Sequence, residues 1–211
     1  MLQSKPERMS VAEFLEWNER QEERYELEDG FPRRVGYELD HGEPVRKITG
    51  AKRSHRRVVD NLTLCLGPQV RSTGCFTSSH DAAVALPSGS VRYPDLVIEC
   101  GDDADNALEA SDPRIVVEVL SPSNKGMYVI DRFNELRAHP RILAIMFVDP
   151  DRVDVRVYRR LGRSEGNQAT DLWSDERFHD LDGTITFDDP SATLPMAAIY
   201  EGLNPEHAPT T

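Results

Sequence analysis

The sequence is short of cysteine, of basic charge and of long apolar runs, and each shortage removes a class of protein. Three cysteines occur in 211 residues, Cys65, Cys75 and Cys100. The count is odd and no pair has CxxC spacing, so a disulfide framework or a zinc site is not expected, and reduced, mostly buried thiols are. No stretch approaches the ~20 apolar residues of a membrane helix, and the longest runs, such as Ile142 to Val148, have strand length. The N-terminal MLQSKPERMS has no apolar core after its charges, unlike a secretory signal. The expected compartment is therefore the cytoplasm, with no membrane partner. Lys and Arg number 25 against 37 Asp and Glu, a net charge of −12. That balance argues against a large non-specific nucleic-acid surface and leaves room only for a local basic patch. Internal repeats, low-complexity segments and heptads are missing too.

What is there is a globular composition, 38% apolar and 29% charged. A length of 211 residues suits one domain. We expect it over 9–203, between a flexible N-terminus (1–8) and a flexible C-terminal tail (204–211). Ser10 followed by Glu13 forms a capping box ahead of a first helix. RYELEDGFPRRV holds Asp29-Gly30, a hairpin turn signal. Residues 40–50 read as a loop. A second helix runs from about Ser54 to Val70, weakened or ended by Gly67-Pro68. CFTSSHDAAVAL reads as a strand pair or one long strand. SVRYPDLVIEC, RIVVEVL and ILAIMFVD end in or consist of apolar, β-branched runs suited to buried strands. Residues 127–138 are helical and stop before Pro140. DVRVYRR alternates as a half-exposed strand. Residues 161–180 read as a polar connection containing Trp173, followed by a short strand at TITF and a final helix in MAAIYEGL. The order describes an α/β (α+β) fold, a mixed central sheet flanked by helices.

Chemistry concentrates on carboxylates. Pro94 cannot donate to a ladder, which places Asp95 at a strand start. Glu118 follows 23 residues later inside Val116-Val117-Glu118-Val119-Leu120. An unpaired carboxylate in an apolar strand is costly, so it needs a cation, a hydrogen-bond partner or a raised pKa. Glu26 and Asp81 are further candidates, and three or four converging carboxylates would make an oxygen-rich Mg²⁺ site. Two plainer readings stand beside this one. Asp95 can bond backbone donors at the strand start, and Glu118 can pair with an arginine. His55 contacts phosphate, orients a carboxylate, or is a solvated residue at a helix start. The basic run Lys52 to Arg57 opposes the dipole of the second helix. The acidic loop 101–113 reads as solvated.

The run PDLVIEC, a polar loop, VVEVLSPS, a helix and FVDPDRVDVRVYRR resembles the Uma-type putative restriction endonuclease family, within the PD-(D/E)XK nuclease superfamily. MSVAEFLEW with RYELEDG, SHRRVVDNL and TLPMAAIYEGL resemble its opening helix and hairpin, second helix and closing segment. The resemblance spans about residues 9–203. It implies a restriction-endonuclease-like core and Mg²⁺- or Mn²⁺-dependent DNA cleavage, with Asp95 and Glu118 as the two metal-binding carboxylates. Glu26 and Asp81 match further acidic positions. A homodimer is implied, because a duplex needs two cuts.

Two departures bear on activity. The superfamily pattern places a lysine two residues after the glutamate, where this chain has Leu120. Relatives supply a lysine from the following helix, where this chain has Arg132. An arginine keeps the charge but is a poor proton acceptor. Lys125 is a possible substitute. The leading expectation is a DNA endonuclease using Asp95, Glu118 and either Arg132 or Lys125. The alternative is a catalytically inactive nuclease fold serving as a DNA-binding or protein-interaction module.

Overall fold

A computed structural model describes residues 8–35, 37–40, 43–46, 52–79, 82–101, 107–121, 126–162 and 172–206, with backbone alone for 37–40 and 43–46. Helix α1 (Val11–Asn18) starts at the expected capping box, with the Ser10 hydroxyl and Glu13 carboxylate exchanging bonds with each other's backbone N–H. Strands β1 (Tyr25–Glu28) and β2 (Phe31–Arg34) form the expected hairpin. Asp29 and Gly30 take φ of 51° and 83°, the left-handed pair that a two-residue turn requires. β3 (Tyr37–Asp40) and β4 (Glu43–Arg46) form a second hairpin where a loop was expected over 40–50. Polar composition hid it, since neither strand carries an apolar run.

Helix α2 (Arg53–Arg71) runs through Pro68 rather than ending there. The ring costs one backbone bond, while Leu66 and Val70 on either side stay fully buried and hold the last turn down. β5 (Phe76–Ser79), β6 (Val84–Ala85), β7 (Val91–Arg92) and β8 (Leu96–Glu99) follow, then β9 (Pro113–Val119). Helix α3 (Met127–Arg137) leads to β10 (Ala144–Asp149), β11 (Asp154–Arg160) and β12 (Trp173–Phe178). The chain closes on the hairpin β13 (Thr184–Asp188) and β14 (Ser191–Pro195) and the short helix α4 (Met196–Ile199).

Six strands make the central sheet, in the order β12-β11-β10-β9-β8-β5. Only β9 and β10 are parallel, and α3 is the crossover such a pair requires. β12 lies within the stretch expected to be a polar connection. It pairs antiparallel with β11 from Val155↔Phe178 to Arg160↔Trp173, and WSDERF needs no apolar run because it is an edge strand. Helix α2 covers one face, where Val58, Leu62 and Leu66 pack with Ile115, Val117 and Val119. Helix α3 covers the other, where Val129 and Leu136 pack with Val116, Ile145 and Phe147. A smaller sheet, β2-β1-β7-β6, packs with α1 around Leu27 and Val91.

Cys75 and Cys100 form a disulfide, against the expectation of reduced thiols; Cys65 is free. Sheet register is the reason. β5 and β8 run antiparallel with Phe76 opposite Glu99, so the residues just outside that pair face each other, with Cα atoms 4.1 Å apart. Asp112, from the loop read as solvated, is buried and pairs with Arg114 at 2.7 Å.

Candidate active site

Period-two alternation divides β9 between two environments. Ile115, Val117 and Val119 join the core under α2. Val116 points toward α3, and by alternation Glu118 does as well. Its register partner on β10 is Phe147. β8 and β9 pair with Leu96 opposite Val117, so Asp95 and Glu118, one step outward on each chain, come to the same end of the sheet. The Val119 N–H donates to Asp95 Oδ2 at 2.8 Å, which is the backbone bond foreseen for a carboxylate at a strand start.

His55 Nε2 lies 3.3 Å from the same Asp95 oxygen, with the histidine side chain only 14% exposed. This placement supports the reading in which His55 orients a carboxylate rather than the solvated one. Helix α2 reaches Asp95 through its first turn, and its terminus is steadied by Asp151. That carboxylate accepts from Lys52 Nζ at 3.1 Å and Ser54 Oγ at 3.2 Å. A negative group at a helix N-terminus offsets part of the cost of the basic run there.

Arg132 reaches up from α3 into the carboxylates. Its Nε is 3.4 Å from Glu118 Oε1, its Nη2 3.4 Å from Glu26 Oε2 and its Nη1 3.4 Å from Glu135 Oε2. The Nε also donates to the Tyr128 hydroxyl at 3.1 Å, and the guanidinium lies 5.2 Å from the Tyr128 ring centre. A second arginine, Arg92 of β7, holds Glu135 in a two-point bond at 2.9 and 2.8 Å, lies 3.7 Å from Glu26 and donates to the Leu27 carbonyl. Glu26 also accepts from the Tyr93 N–H at 3.4 Å. The arginine partner foreseen for Glu118 is therefore present. Arg92 and Glu135 belong to the cluster although sequence reasoning did not single them out. The signal for Arg92 was a charge between Val91 and Tyr93 in a short apolar strand.

Burial dominates the electrostatics of this cluster. It pushes the Glu118 carboxyl up to about 8, Asp95 and Glu26 add to the rise, and Arg132 and Arg92 oppose it. Burial alone would lower the Arg132 guanidinium, but Glu118, Glu26 and Tyr128 outweigh it and hold the group above its usual range. Tyr128 is raised by burial and by Glu118. Burial works to raise Glu135, yet the hydrogen bonds and charge of Arg92 bring it below the ordinary carboxylate range. Arg132 is a fixed cation here, with no capacity to accept a proton.

Asp81 and Lys125 lie outside the described residues. Among the described residues no three His, Cys, Asp or Glu side chains converge as metal ligands. Glu26 faces two arginines instead. The donor chemistry fits a smaller site. Mg²⁺ commonly takes one or two carboxylates and keeps several waters, and Asp95 and Glu118 are hard oxygen donors at one strand end. Asp95 Oδ1 carries no hydrogen bond from a described residue.

The solved structures include a crystal structure of a putative nuclease belonging to DUF820 from Anabaena variabilis. It matches with a TM-score of 0.63 at 15% identity, over 92% of this chain and 98% of that one, which is a likeness of fold. The uncharacterized protein slr1290 of Synechocystis is 23% identical over 155 residues, covering 72% of this chain and 75% of its own length. The uncharacterized protein sll1609 of the same organism is 25% identical over 159 residues, covering 73% and 82%. A family model described as Uma2, putative restriction endonuclease, matches residues 22–187. That match takes in the opening hairpin, both carboxylate strands and α3, and the chain belongs to the Uma2 family of putative restriction endonucleases.

Proposed function

We propose that this protein is a Mg²⁺-dependent DNA endonuclease that hydrolyses phosphodiester bonds at Asp95 and Glu118. The observation that carries this reading is the placement of the two carboxylates on adjacent strands at one end of the sheet, with one oxygen of Asp95 fixed by the Val119 N–H. Asp95 and Glu118 would hold the cation, which when bound supplies charge neutralisation at the phosphate and a more acidic water. The chain's own groups do the positioning. His55 and the Val119 N–H fix Asp95. Arg132 fixes Glu118, and Arg92 keeps Glu26 and Glu135 in place beside it. Lys125 is the group we assign to contact with the phosphate, since Arg132 is committed to carboxylates. A duplex needs two cuts, so the reading includes a homodimer, which sedimentation of the purified protein would register.

Supercoiled plasmid with Mg²⁺ or Mn²⁺ tests the assignment. Conversion to nicked or linear DNA by the wild type and none by Asp95→Ala is the expected result. No conversion by the wild type at any metal concentration, or equal conversion by both proteins, rejects it.

One observation favours a second reading. Leu120 stands where the pattern places lysine and packs in the core under α3, while the Arg132 side chain is only 10% exposed and ringed by carboxylates. A nuclease fold built this way suits a DNA-binding or protein-interaction module that does not cut. DNA binding that survives Glu118→Ala in a protein that never nicks would select it.

A further inference from the structure

Beside the carboxylates, on the same face of the sheet, lies a cleft of about 230 Å³. Leu120 and Phe147 form its inner wall. The first is two residues beyond Glu118, and the second is Glu118's register partner. The outer wall is basic: Arg152, Arg156 and Arg177. Arg156 and Arg177 are directly opposite each other on β11 and β12. Like charges in that position destabilise a sheet, and this pair persists in a chain with a net charge of −12.

The three arginines are not equally engaged. Arg156 is bound at two points by Asp175, at 2.8 and 2.6 Å, and lies 4.7 Å from the Tyr158 ring centre. Among the described residues Arg152 has a single looser side-chain partner, Glu206, at 3.7 Å. Arg177 is exposed, makes no hydrogen bond or close ion pair with a described residue, and acts on Asp175 only through its charge. Two carboxylates also line the cleft and offset part of its positive charge. Asp149 is buried and accepts the Asp151 N–H at 3.0 Å. Asp154 faces His179 at 3.5 Å. The lining therefore carries three arginines against two carboxylates, with Arg177 and Arg152 exposed and Arg156 held by Asp175.

We propose that this cleft binds a backbone phosphate of the DNA strand next to the phosphodiester being cut, with Arg177 as its principal contact. The proposal rests on the endonuclease reading for its substrate. A phosphate there would relieve the repulsion between Arg156 and Arg177, and the Arg156–Asp175 bond would set the position of the pair. Because the contact is to phosphate, it orients the duplex and reads no bases.

Binding of a short labelled duplex in EDTA, followed by fluorescence anisotropy across a salt series, tests this without hydrolysis. Arg177→Ala is expected to weaken binding roughly tenfold on any sequence. It should also reduce the slope of log K against log salt by about one. Arg177→Glu should weaken binding further, and Arg177→Lys should restore the slope. Arg71→Ala, at the far end of α2, should change neither. Arg177 is exposed, so these variants fold, and a circular dichroism melt verifies it. Unchanged affinity and slope in Arg177→Ala and Arg177→Glu would overturn the proposal, as would a wild type that binds no duplex. The two readings separate cleanly. Nicking that persists with binding insensitive to Arg177 removes the phosphate site and keeps the nuclease. Arg177-dependent binding by a protein that never nicks does the reverse.

Discussion

The two faces of β9 are built on opposite principles. Toward α2 the strand presents Ile115, Val117 and Val119 to a dry apolar layer. Toward α3 it presents Val116 and then Glu118, which meets Arg132, with Glu26, Glu135 and Arg92 close behind. The first face draws its stability from removing apolar area from water. The second places charges where water solvates them only in part, and each is tolerable chiefly because the others are present. The contrast within seven residues of one strand separates what holds the fold from what the fold holds in place.

The largest expected effect is on chemistry. Glu118→Gln keeps the shape of the side chain but not its charge, and plasmid nicking should fall ~10³-fold or more, several kcal/mol of lost cation-dependent stabilisation. Ile115→Ala, on the other face, should leave the rate per folded molecule unchanged. The next effect is on stability. Arg132→Met removes the cation shared by three carboxylates and should cost about 3–5 kcal/mol in urea denaturation. Adding Glu118→Gln to Arg132→Met should recover part of that loss above about pH 8, where Glu118 would otherwise have to ionise unpaired. Ile115→Ala should cost about 2–5 kcal/mol by leaving a cavity, and no charge change elsewhere should recover it. If Arg132→Met proves neutral, the ionic face is not interdependent as described.

Reduction of Cys75–Cys100, which are 25 residues apart, should cost about 3 kcal/mol through the freed loop. A denaturation series with and without reductant measures it. The ionic face also gives stability a pH dependence. Glu118 binds its proton more tightly folded than unfolded, with its folded value at about 8. Between the unfolded carboxylate value of ~4.3 and about 8, the folded state holds the extra proton. Its contribution is complete below that window and falls as pH rises through it. Glu118→Gln should flatten the fall in stability between pH 5 and 8. An unchanged slope would mean that Glu118 is ionised when the site is empty.

Much of this contrast was legible in the sequence. Leu96-Val97-Ile98 and Ile115 to Val119 announce buried strands by β-branched composition, and Asp29-Gly30 announces its turn. Glu118 stands out because it interrupts such a strand. The partners were less visible, because they come from elements distant in the chain. His55 looks like any residue of a basic helix start until Asp95 is 3.3 Å away. Glu135 looks like a solvated helix residue until Arg92 grips it. The disulfide was hidden for the same reason, since its spacing follows from the pairing of β5 with β8 and not from any local pattern. β12 was missed because an edge strand of polar residues lacks the apolar signal that marked its neighbours.

We propose that Asp95 and Glu118 form one cation site. A crystal soaked in Mn²⁺, examined by anomalous scattering, tests it most directly. We expect one peak at roughly 2.0–2.2 Å from an oxygen of each carboxylate, with Arg132 still on Glu26 and Glu135. No peak there, or a peak bound by neither carboxylate, would contradict it.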